Sequence, residues 1–406
     1  MVFKRVLNWL INFTIVFLII TFSPGLGPKT TFPFEEFSVS RPRSIEPNNY
    51  LENPEILLKG KILGPEHILE KDGIFYASST DGTVVKIVGE EVEVLSQFGK
   101  YCTKNEKIPM CGRPLGLAWD PSKNDTIIVM DSSLGVLELN VKTKKLKRVI
   151  FNNEEVGREN PREQKLVNSA AVAKNGDIYY TSSTSDVELN QIFLSFFLNP
   201  SGRLIKFDRK TKKTTVLLDR LFFANGVALS PNEDFVVVSD LGRNRLIKYY
   251  ISGKQADYHT IFVDNLPGVP DNLTPDEKGL WVAIPIASEP DNMLFFQKLS
   301  QYPTIRKFFA RALYLTGALL NKIYSYVPNE AIKSAALTID SFGSYKFLYP
   351  QRSSIIRLNW NGEVIESYHS FDGSSYTHVL DTNDGKLYLG SFFQDYIARV
   401  DRRNHD

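Results

Sequence analysis

The feature that most constrains this chain is a sixfold repetition of paired β-strand patterns. Each copy has a turn with Gly, Asp or Asn, an alternating strand, a small-residue turn and a second strand that ends in charged residues. The copies begin at Gly73, Asp125, Gly176, Asp234, Gly279 and Gly385. The first four begin roughly 50–60 residues apart, which is typical of propeller blades. Period-two alternation of β-branched and aromatic residues favours strands over helices.

Six copies of a four-stranded unit predict an all-β fold, a six-bladed β-propeller. The last copy is short of strands, and the early strand Glu55–Gly60 is predicted to complete it and close the ring. A pair of β-sandwiches is the alternative architecture, but it does not explain the even repetition.

The fifth copy is interrupted by an insertion. Bulky apolar residues recur at helical spacing from Asn292 to Tyr326, which predicts a helical insertion at about 292–345. Lys298, Arg306 and Lys307 lie among them. Such helices either pack on the propeller face as a lid or dip into a membrane surface, and both can hold together.

The amino-terminal region predicts a membrane anchor. Lys4 and Arg5 precede an uncharged run whose apolar core, Val6–Phe22, nearly reaches the length of a membrane span. The basic pair predicts a cytoplasmic amino terminus, hence a single-pass type II membrane protein with its bulk lumenal or extracellular. The membrane would belong to the endoplasmic reticulum, the cell surface or another part of the secretory pathway. A cleaved signal peptide is the alternative.

We therefore divide the chain into three parts. Residues 1–28 are predicted to form a cytoplasmic tip and transmembrane signal-anchor, residues 29–53 a stalk rich in Pro, Ser and charge, and residues 54–406 the propeller.

The secretory setting bears on covalent features. The two cysteines, Cys102 and Cys111, are predicted to form a disulfide, with free thiols as the alternative. Asn124 begins a glycosylation sequon in a polar turn. The formal net charge of +2 gives no electrostatic case for a nucleic-acid partner.

Polar residues in the links before the inner strands suggest a metal site. Because equivalent positions of successive blades point into one central tunnel, their side chains can converge. The hard oxygen donors at these positions are Glu66, Asn168, Asn225, Asp271 and Asn272. Two carboxylates and three amide carbonyls suit Ca²⁺, which takes six to eight oxygen ligands. Asn272 also begins a sequon, but an asparagine that faces the tunnel would not be glycosylated.

Three stretches resemble the strictosidine synthase-like family: Cys111–Gly116, Asn225–Ser230 and Leu266–Asn272. The cysteine pair, the anchor and the helical insertion resemble that family too. The resemblance implies a six-bladed, calcium-dependent propeller of the phosphotriesterase type. It also implies that the same five oxygen donors match the calcium ligands of paraoxonase-like relatives.

Two departures from these relatives bear on catalysis. Paraoxonase-like lactonases carry a histidine where this chain has Leu115, which cannot take a proton. Plant strictosidine synthases use a glutamate where this chain has His378, which argues against strictosidine synthesis. His378 is a candidate substitute base, since its ordinary pKa is near neutral, or a strand-end histidine bonded to the backbone.

These residues lead to two hypotheses. The first is a calcium-dependent ester hydrolase of the arylesterase type, with Asp271 as nucleophile or general base and a small apolar or aromatic ester as substrate. Phe222, Phe223 and Phe393 would favour such apolar groups. The second is a non-catalytic receptor or adhesion propeller with structural calcium.

Overall fold

A computed structural model of the chain describes residues 2–99, 112–152, 154–157, 161–340, 350–382 and 384–403. Within these ranges the strands form six four-stranded antiparallel sheets, each a meander of neighbouring strands. The chain is a six-bladed β-propeller with an apolar amino-terminal helix, as the repeat predicts. Cys102 and Cys111 lie outside the described residues, so their pairing stays a prediction.

The first three blades follow one another without interruption of their order. The first contains β2 (Ile68–Lys71), β3 (Ile74–Ser79), β4 (Thr83–Val88) and β5 (Glu91–Gln97). The second contains β6 (Pro114–Trp119), β7 (Thr126–Asp131), β8 (Gly135–Asn140) and β9 (Leu146–Phe151). The third contains β12 (Val167–Val172), β13 (Ile178–Ser182), β14 (Gly202–Asp208) and β15 (Lys213–Leu221). A short ribbon, β10 (Glu155–Val156) and β11 (Arg162–Glu163), precedes the third blade.

The remaining blades carry the insertion and the closure. The fourth contains β16 (Ala224–Leu229), β17 (Phe235–Asp240), β18 (Arg245–Tyr250) and β19 (His259–Val263). The fifth contains β21 (Leu273–Pro275), β22 (Gly279–Ile284), β24 (Ser353–Asn359) and β25 (Val364–Ser370). A ribbon of β20 (Gly268–Val269) and β23 (Ile286–Ala287) flanks it. The sixth contains β26 (His378–Asp381), β27 (Lys386–Gly390), β28 (Ile397–Asp401) and, from the start of the domain, β1 (Glu55–Leu57).

The ring closes as predicted, through the early strand. β1 pairs antiparallel with β28, and Glu55 lies opposite Arg399. The guanidinium of Arg399 donates to the Glu55 carboxylate at 2.8 Å. The sixth blade therefore unites both ends of the domain.

Hydroxyl side chains tie neighbouring blades together around the tunnel. Ser78, Thr181 and Ser239 each lie on the second strand of a blade and donate to a backbone carbonyl of the next blade. The acceptors are Leu115 at 2.7 Å, Asn225 at 2.6 Å and Asp271 at 2.8 Å. Since buried polar groups need partners, these bonds fix the inner links that carry the candidate ligands.

Helices lie outside the sheets. They are α1 (Val2–Phe22), α2 (Ile192–Ser195), α3 (Phe295–Lys298), α4 (Pro303–Tyr326) and α5 (Glu330–Asp340). Short 3₁₀ turns cover Leu189–Gln191, Leu241–Arg243 and Leu299–Gln301. Within α1, residues Phe3–Phe22 are long and apolar enough to cross a membrane, with a mean hydropathy of 1.8.

The segment of residues 29–53 is extended and bonded along the propeller. The backbone N–H of Phe37 donates to the Ser300 carbonyl at 3.3 Å, and that of Arg43 donates to the Asn265 carbonyl at 3.1 Å. Phe37 also packs edge-on against Phe222, with ring centroids 5.0 Å apart. The predicted stalk therefore holds the propeller close to the end of α1.

Candidate metal centre

Five oxygen-bearing side chains lie at the links before the inner strands, each in the first two residues of such a strand or the two residues before it. They are buried, with exposed fractions of 5% for Glu66, 4% for Asn168, 3% for Asn225, 7% for Asp271 and 1% for Asn272. The Asn272 amide donates to Glu66 Oε1 at 3.1 Å. Asn225 bonds to the Asp271 carboxylate. The structure thus brings Glu66, Asn225, Asp271 and Asn272 together, while Asn168 lies at the equivalent position of the third blade and donates to Ser183 Oγ.

Four oxygens of this cluster have no hydrogen-bond partner. They are Oδ1 of Asn168, Asn225, Asp271 and Asn272. A buried polar atom without a partner costs free energy comparable to a lost hydrogen bond, so four together need a common explanation. The amide nitrogen of Asn168 donates to Ser183 Oγ, and that of Asn272 donates to Glu66. Their carbonyl oxygens are therefore left free to coordinate a cation.

The two carboxylates of the cluster lack a basic partner. Within the described ranges, neither Glu66 nor Asp271 has a lysine, arginine or histidine at salt-bridge distance. Burial raises the pKa of Glu66 to about 7, against the hydrogen bonds from Thr377 and Asn272. Burial, and then the charge of Glu66, raise the pKa of Asp271 well above its ordinary value. A cation placed between them would remove both penalties.

Thr377 is a supporting residue that the sequence reasoning passed over. Its hydroxyl donates to Glu66 Oε2 at 2.7 Å, and it accepts a bond from the backbone N–H of Phe392 at 3.2 Å. Thr377 occupies the same position before an inner strand as the predicted ligands do, which is the signal that could have identified it.

Glycines let the links that carry ligands approach closely. A Cβ atom on Gly226 would lie 2.5 Å from the Asp271 carbonyl oxygen and 2.6 Å from the Leu273 nitrogen. A Cβ atom on Gly116 would lie 2.5 Å from the Asn168 carbonyl oxygen. Real side chains do not tolerate such distances, so each glycine permits the next blade to bring its ligands toward the tunnel axis.

His378 lies beside the cluster with both ring nitrogens engaged. Thr274 Oγ1 donates to the Val379 carbonyl at 2.6 Å, so His378 Nε2 donates to Thr274 at 3.2 Å. Nδ1 accepts from the backbone N–H of Ile68 at 3.4 Å. Burial, and then the neighbouring His67, lower the pKa of His378 well below 6.5. These contacts match the alternative of a histidine bonded to the backbone, and a catalytic role for His378 stays a prediction.

His67 stacks on His378, with ring centroids 4.0 Å apart. Burial lowers the pKa of His67 to about 3. Thr377 donates to Glu66, and the residues that follow these two, His378 and His67, stack on each other. The two pairs face opposite ways because successive strand residues alternate in direction. The two histidines are therefore neutral neighbours of the oxygen cluster.

A buried apolar cluster lies beside the links that carry the oxygen cluster. Leu115 packs with Leu166 and Leu189, and Ile192 and Phe392 pack against them. Phe222 and Phe223 lie elsewhere: they are 2% and 5% exposed, inside a buried aromatic cluster with Phe196 and Phe296. The apolar lining that the sequence suggested is therefore formed mainly by other residues.

Blade topology puts the links that carry the candidate ligands and the helices on one face. In a four-stranded meander, the link before the first strand and the link between the second and third strands emerge on the same side. The ligands lie at the former links, while α2, α3, α4 and α5 lie at the latter, in the third and fifth blades. Asn124, in the turn between β6 and β7, is exposed on the opposite face.

The donor set suits a hard cation. Among the described residues, no site gathers three or more His, Cys, Asp or Glu side chains that could hold a metal ion. The cluster described above has two carboxylates, and its other three donors are amide oxygens. Calcium accepts such mixed carboxylate and carbonyl sets, whereas zinc favours nitrogen and sulfur. The unpartnered oxygens and uncompensated carboxylates are what a calcium site requires.

Comparison with known proteins agrees with this architecture. The family described as "Strictosidine synthase" matches residues 168–254, and "Strictosidine synthase-like, N-terminal" matches residues 45–87. The adipocyte plasma membrane-associated protein Hemomucin of Drosophila melanogaster is 38% identical over 398 residues, which are 96% of this chain and 68% of that protein. The adipocyte plasma membrane-associated protein of Bos taurus is 31% identical over 362 residues, 88% of this chain and 80% of the relative.

The chain belongs to the strictosidine synthase-like family of adipocyte plasma membrane-associated proteins. Solved structures share its fold at low sequence identity. A gluconolactonase from Xanthomonas campestris has a TM-score of 0.52 and 12% identity, over 93% of this chain and 98% of the other. A luciferin-regenerating enzyme has a TM-score of 0.52 and 14% identity, over 86% and 95%. In this chain the propeller follows an amino-terminal helix long and apolar enough to cross a membrane.

Proposed function

We propose that the chain is a membrane-anchored, calcium-dependent hydrolase of esters of the arylesterase type. The observation that carries the proposal is the cluster of four unpartnered, buried oxygens around two uncompensated carboxylates, with a buried apolar cluster beside it. The propeller fold is shared with enzymes named for a lactonase and a luciferin-regenerating activity, which is compatible with hydrolysis. The protein would sit in the membrane as a type II protein, with α1 as its span.

Glu66, Asn168, Asn225, Asp271 and Asn272 would hold the calcium ion. When bound, calcium would supply positive charge that polarises an ester carbonyl and stabilises the oxyanion that forms from it. These five residues would also keep the ion fixed, since hydrogen bonds from Thr377 and from the preceding blades position them.

Asp271 would carry the proton. Its Oδ1 would accept a proton from the attacking water as the water oxygen forms a bond to the carbonyl carbon. The bond between that carbon and the leaving oxygen then breaks, and the proton passes from Asp271 to the leaving alkoxide or phenoxide. Direct attack by the Asp271 carboxylate on the carbonyl carbon is the other route: it would expel the alkoxide or phenoxide and form a mixed anhydride, which water later hydrolyses to regenerate the carboxylate.

The apolar cluster beside the metal centre would select the substrate. Leu115, Leu166 and Leu189 offer no charged partner, so they favour aryl or short acyl groups over polar ones. Phe392 lies beside Thr377 and would contact the same groups.

A non-catalytic receptor or adhesion propeller is the second candidate. Leu115 cannot serve as a base, and both nitrogens of His378 are engaged. In that case calcium would only stabilise the ring, as a ligand that binds the folded state.

Hydrolysis of phenyl acetate by the full chain in detergent micelles separates these functions. The assay is run with calcium, after chelation and after calcium is restored, and circular dichroism follows the fold throughout. Turnover that disappears and returns with calcium in folded protein supports the hydrolase. Absence of turnover in folded, calcium-loaded protein would reject it in favour of a binding propeller.

A further inference from the structure

Helix α4 has two halves with different surroundings. Its first half packs on the propeller: Ala310 is fully buried, and Phe309 and Leu313 contact the aromatic cluster. Its second half projects outward. Leu319 is 58% exposed, Ile323 38% and Tyr326 75%. Because these three residues are spaced by four and three, they form one apolar stripe along the helix.

The stripe is continuous with the contact between α4 and α1. Phe308, one turn into the same side of the helix, packs against Phe13 and Phe17 of α1, with ring centroids 6.2 and 4.9 Å away. Spacings of eleven, fifteen and eighteen residues place Leu319, Ile323 and Tyr326 on the side of Phe308. The apolar surface that α1 covers therefore extends uncovered toward the end of α4.

Arg311 fixes the level at which this contact occurs. Its guanidinium donates to the carbonyls of Ile20, Thr21 and Ser23 at 2.9–3.0 Å, where the last turn of α1 leaves its carbonyls without partners. Since α1 is the described helix able to cross a membrane, its end marks the border of the lipid layer. The stripe starts at Leu319, eight residues or about 12 Å further along the helix than Arg311.

The charge of α4 suits a phospholipid surface. The helix from Pro303 to Tyr326 contains no Asp or Glu. Of its basic residues, Arg306 is buried and Arg311 binds the end of α1, so Lys322 is the exposed cation beside the stripe. Bulky apolar side chains beside basic ones are typical of helices that lie in the interface of a membrane. Lys322 is exposed next to Ile323, where it can reach lipid phosphates while its neighbours enter the acyl layer.

We propose that the second half of α4 lies on the lipid surface that α1 enters, with Leu319, Ile323 and Tyr326 among the acyl chains. The propeller is thereby attached at two points, α1 and α4, and cannot rotate freely about the anchor. The extended segment of residues 29–53, bonded to the propeller, is too constrained to separate them. Since α4 emerges on the same face as the links that carry the candidate ligands, that face is turned toward the lipid.

Photo-crosslinking of the full chain in nanodiscs tests this placement directly. Tyr326 is replaced by p-benzoylphenylalanine, and a matched variant carries the same replacement at Tyr258. Tyr258 is also exposed, at 59%, but lies in a turn between a third and a fourth strand, on the opposite face. The discs contain phosphatidylcholine and phosphatidylserine, and mass spectrometry measures phospholipid adducts after illumination.

We expect phospholipid adducts at position 326 at least about fivefold above those at position 258. Adding Ile323→Asp should lower the adducts at 326, because a carboxylate resists entry into the acyl layer. Equal adducts at both positions, crosslinks from 326 to a second copy of the chain, or no effect of Ile323→Asp would each overturn the proposal. Because the readout is a lipid adduct, it does not depend on hydrolysis or on calcium.

Discussion

Buried acids occur in two regions of this propeller, and the two regions treat them oppositely. Near the outer strands of the fifth and sixth blades, Glu366 accepts from Arg357 at 2.9 Å and from Arg402 at 2.6 Å. Although burial raises its pKa, those guanidinium groups leave the pKa of Glu366 below its ordinary value. In the tunnel, Glu66 and Asp271 are equally buried beside each other, and burial raises the pKa of both.

The difference shows where the protein supplies its own cation and where it leaves room for one. An uncompensated pair of buried carboxylates is unfavourable unless protons or a cation neutralise it. The amide oxygens around Glu66 and Asp271 have no partners, which favours a cation over protons. The arginine-paired region is therefore structural, and the tunnel region is a ligand site.

The largest effect is expected in the arginine-paired region. Arg357→Met leaves Asp276 without its guanidinium partner and Glu366 with only Arg402, so we expect a loss of about 3–5 kcal/mol of unfolding free energy. Chemical denaturation of the full chain, with and without calcium, measures it. Arg399→Met is the control, because its pair with Glu55 is exposed and worth at most about 1 kcal/mol. Equal losses in the two variants would contradict the assignment.

Asp271→Asn tests the tunnel region as a catalytic site. The amide keeps an oxygen but cannot accept the proton of water, so the kcat of ester hydrolysis should fall at least about a hundredfold. Steady-state kinetics at saturating calcium measures the change. Asp264→Asn, a half-buried position at the start of the link before the fifth blade, should hydrolyse normally. Full turnover by folded, calcium-loaded Asp271→Asn would remove this residue from the reaction.

Calcium removal should destabilise the tunnel region alone. At calcium concentrations about a hundred times the Kd, binding to the folded state stabilises it by about 2.7 kcal/mol. Thermal unfolding before and after chelation should therefore show a lower Tm for the wild type. The Asn225→Leu variant, which lacks one of the oxygen donors, should show a smaller change. An identical Tm with and without calcium in the wild type would argue that the cluster holds no ion.

Proton release should accompany calcium binding, and this effect is the smallest. In the metal-free chain the pKa of Glu66 is raised to about 7, so at pH 6.5 most molecules carry a proton there. Calcium needs the carboxylate, so binding expels that proton at pH 6.5 and expels less at pH 8.5. Calorimetry in two buffers with different ionisation enthalpies measures the release. Release that does not fall as pH rises would contradict the account.

Much of the fold could be predicted from the sequence because it is periodic. The six copies, the strand Glu55–Leu57 that closes the ring and the inner-link positions all follow from the repeat. The places of the candidate ligands follow for the same reason, since they lie at the links before the inner strands of the first, third, fourth and fifth blades. His378 and Thr377 are adjacent, and a pattern alone does not say which of two neighbours faces Glu66.

What the sequence could not predict depends on contacts between distant segments. The 29–53 segment has the composition of a linker, yet it bonds to the propeller through backbone groups, which composition does not encode. Arg311 caps α1, although it lies 288 to 291 positions further along the chain than the residues whose carbonyls it binds. In the sequence, Leu115 indicates only that a histidine base is missing. The structure shows that Leu115 packs with Leu166 and Leu189 in a buried apolar cluster.

Calcium titration of the metal-free full chain is the most direct test of the central claim. Isothermal calorimetry should show saturable binding at the tunnel cluster. Asn225→Leu should weaken that binding about tenfold or more, since it removes a coordinating oxygen while the charge stays the same. Asn361→Leu, in an exposed turn, should bind as the wild type does. Absence of saturable binding, or equal affinity in Asn225→Leu, would contradict the account.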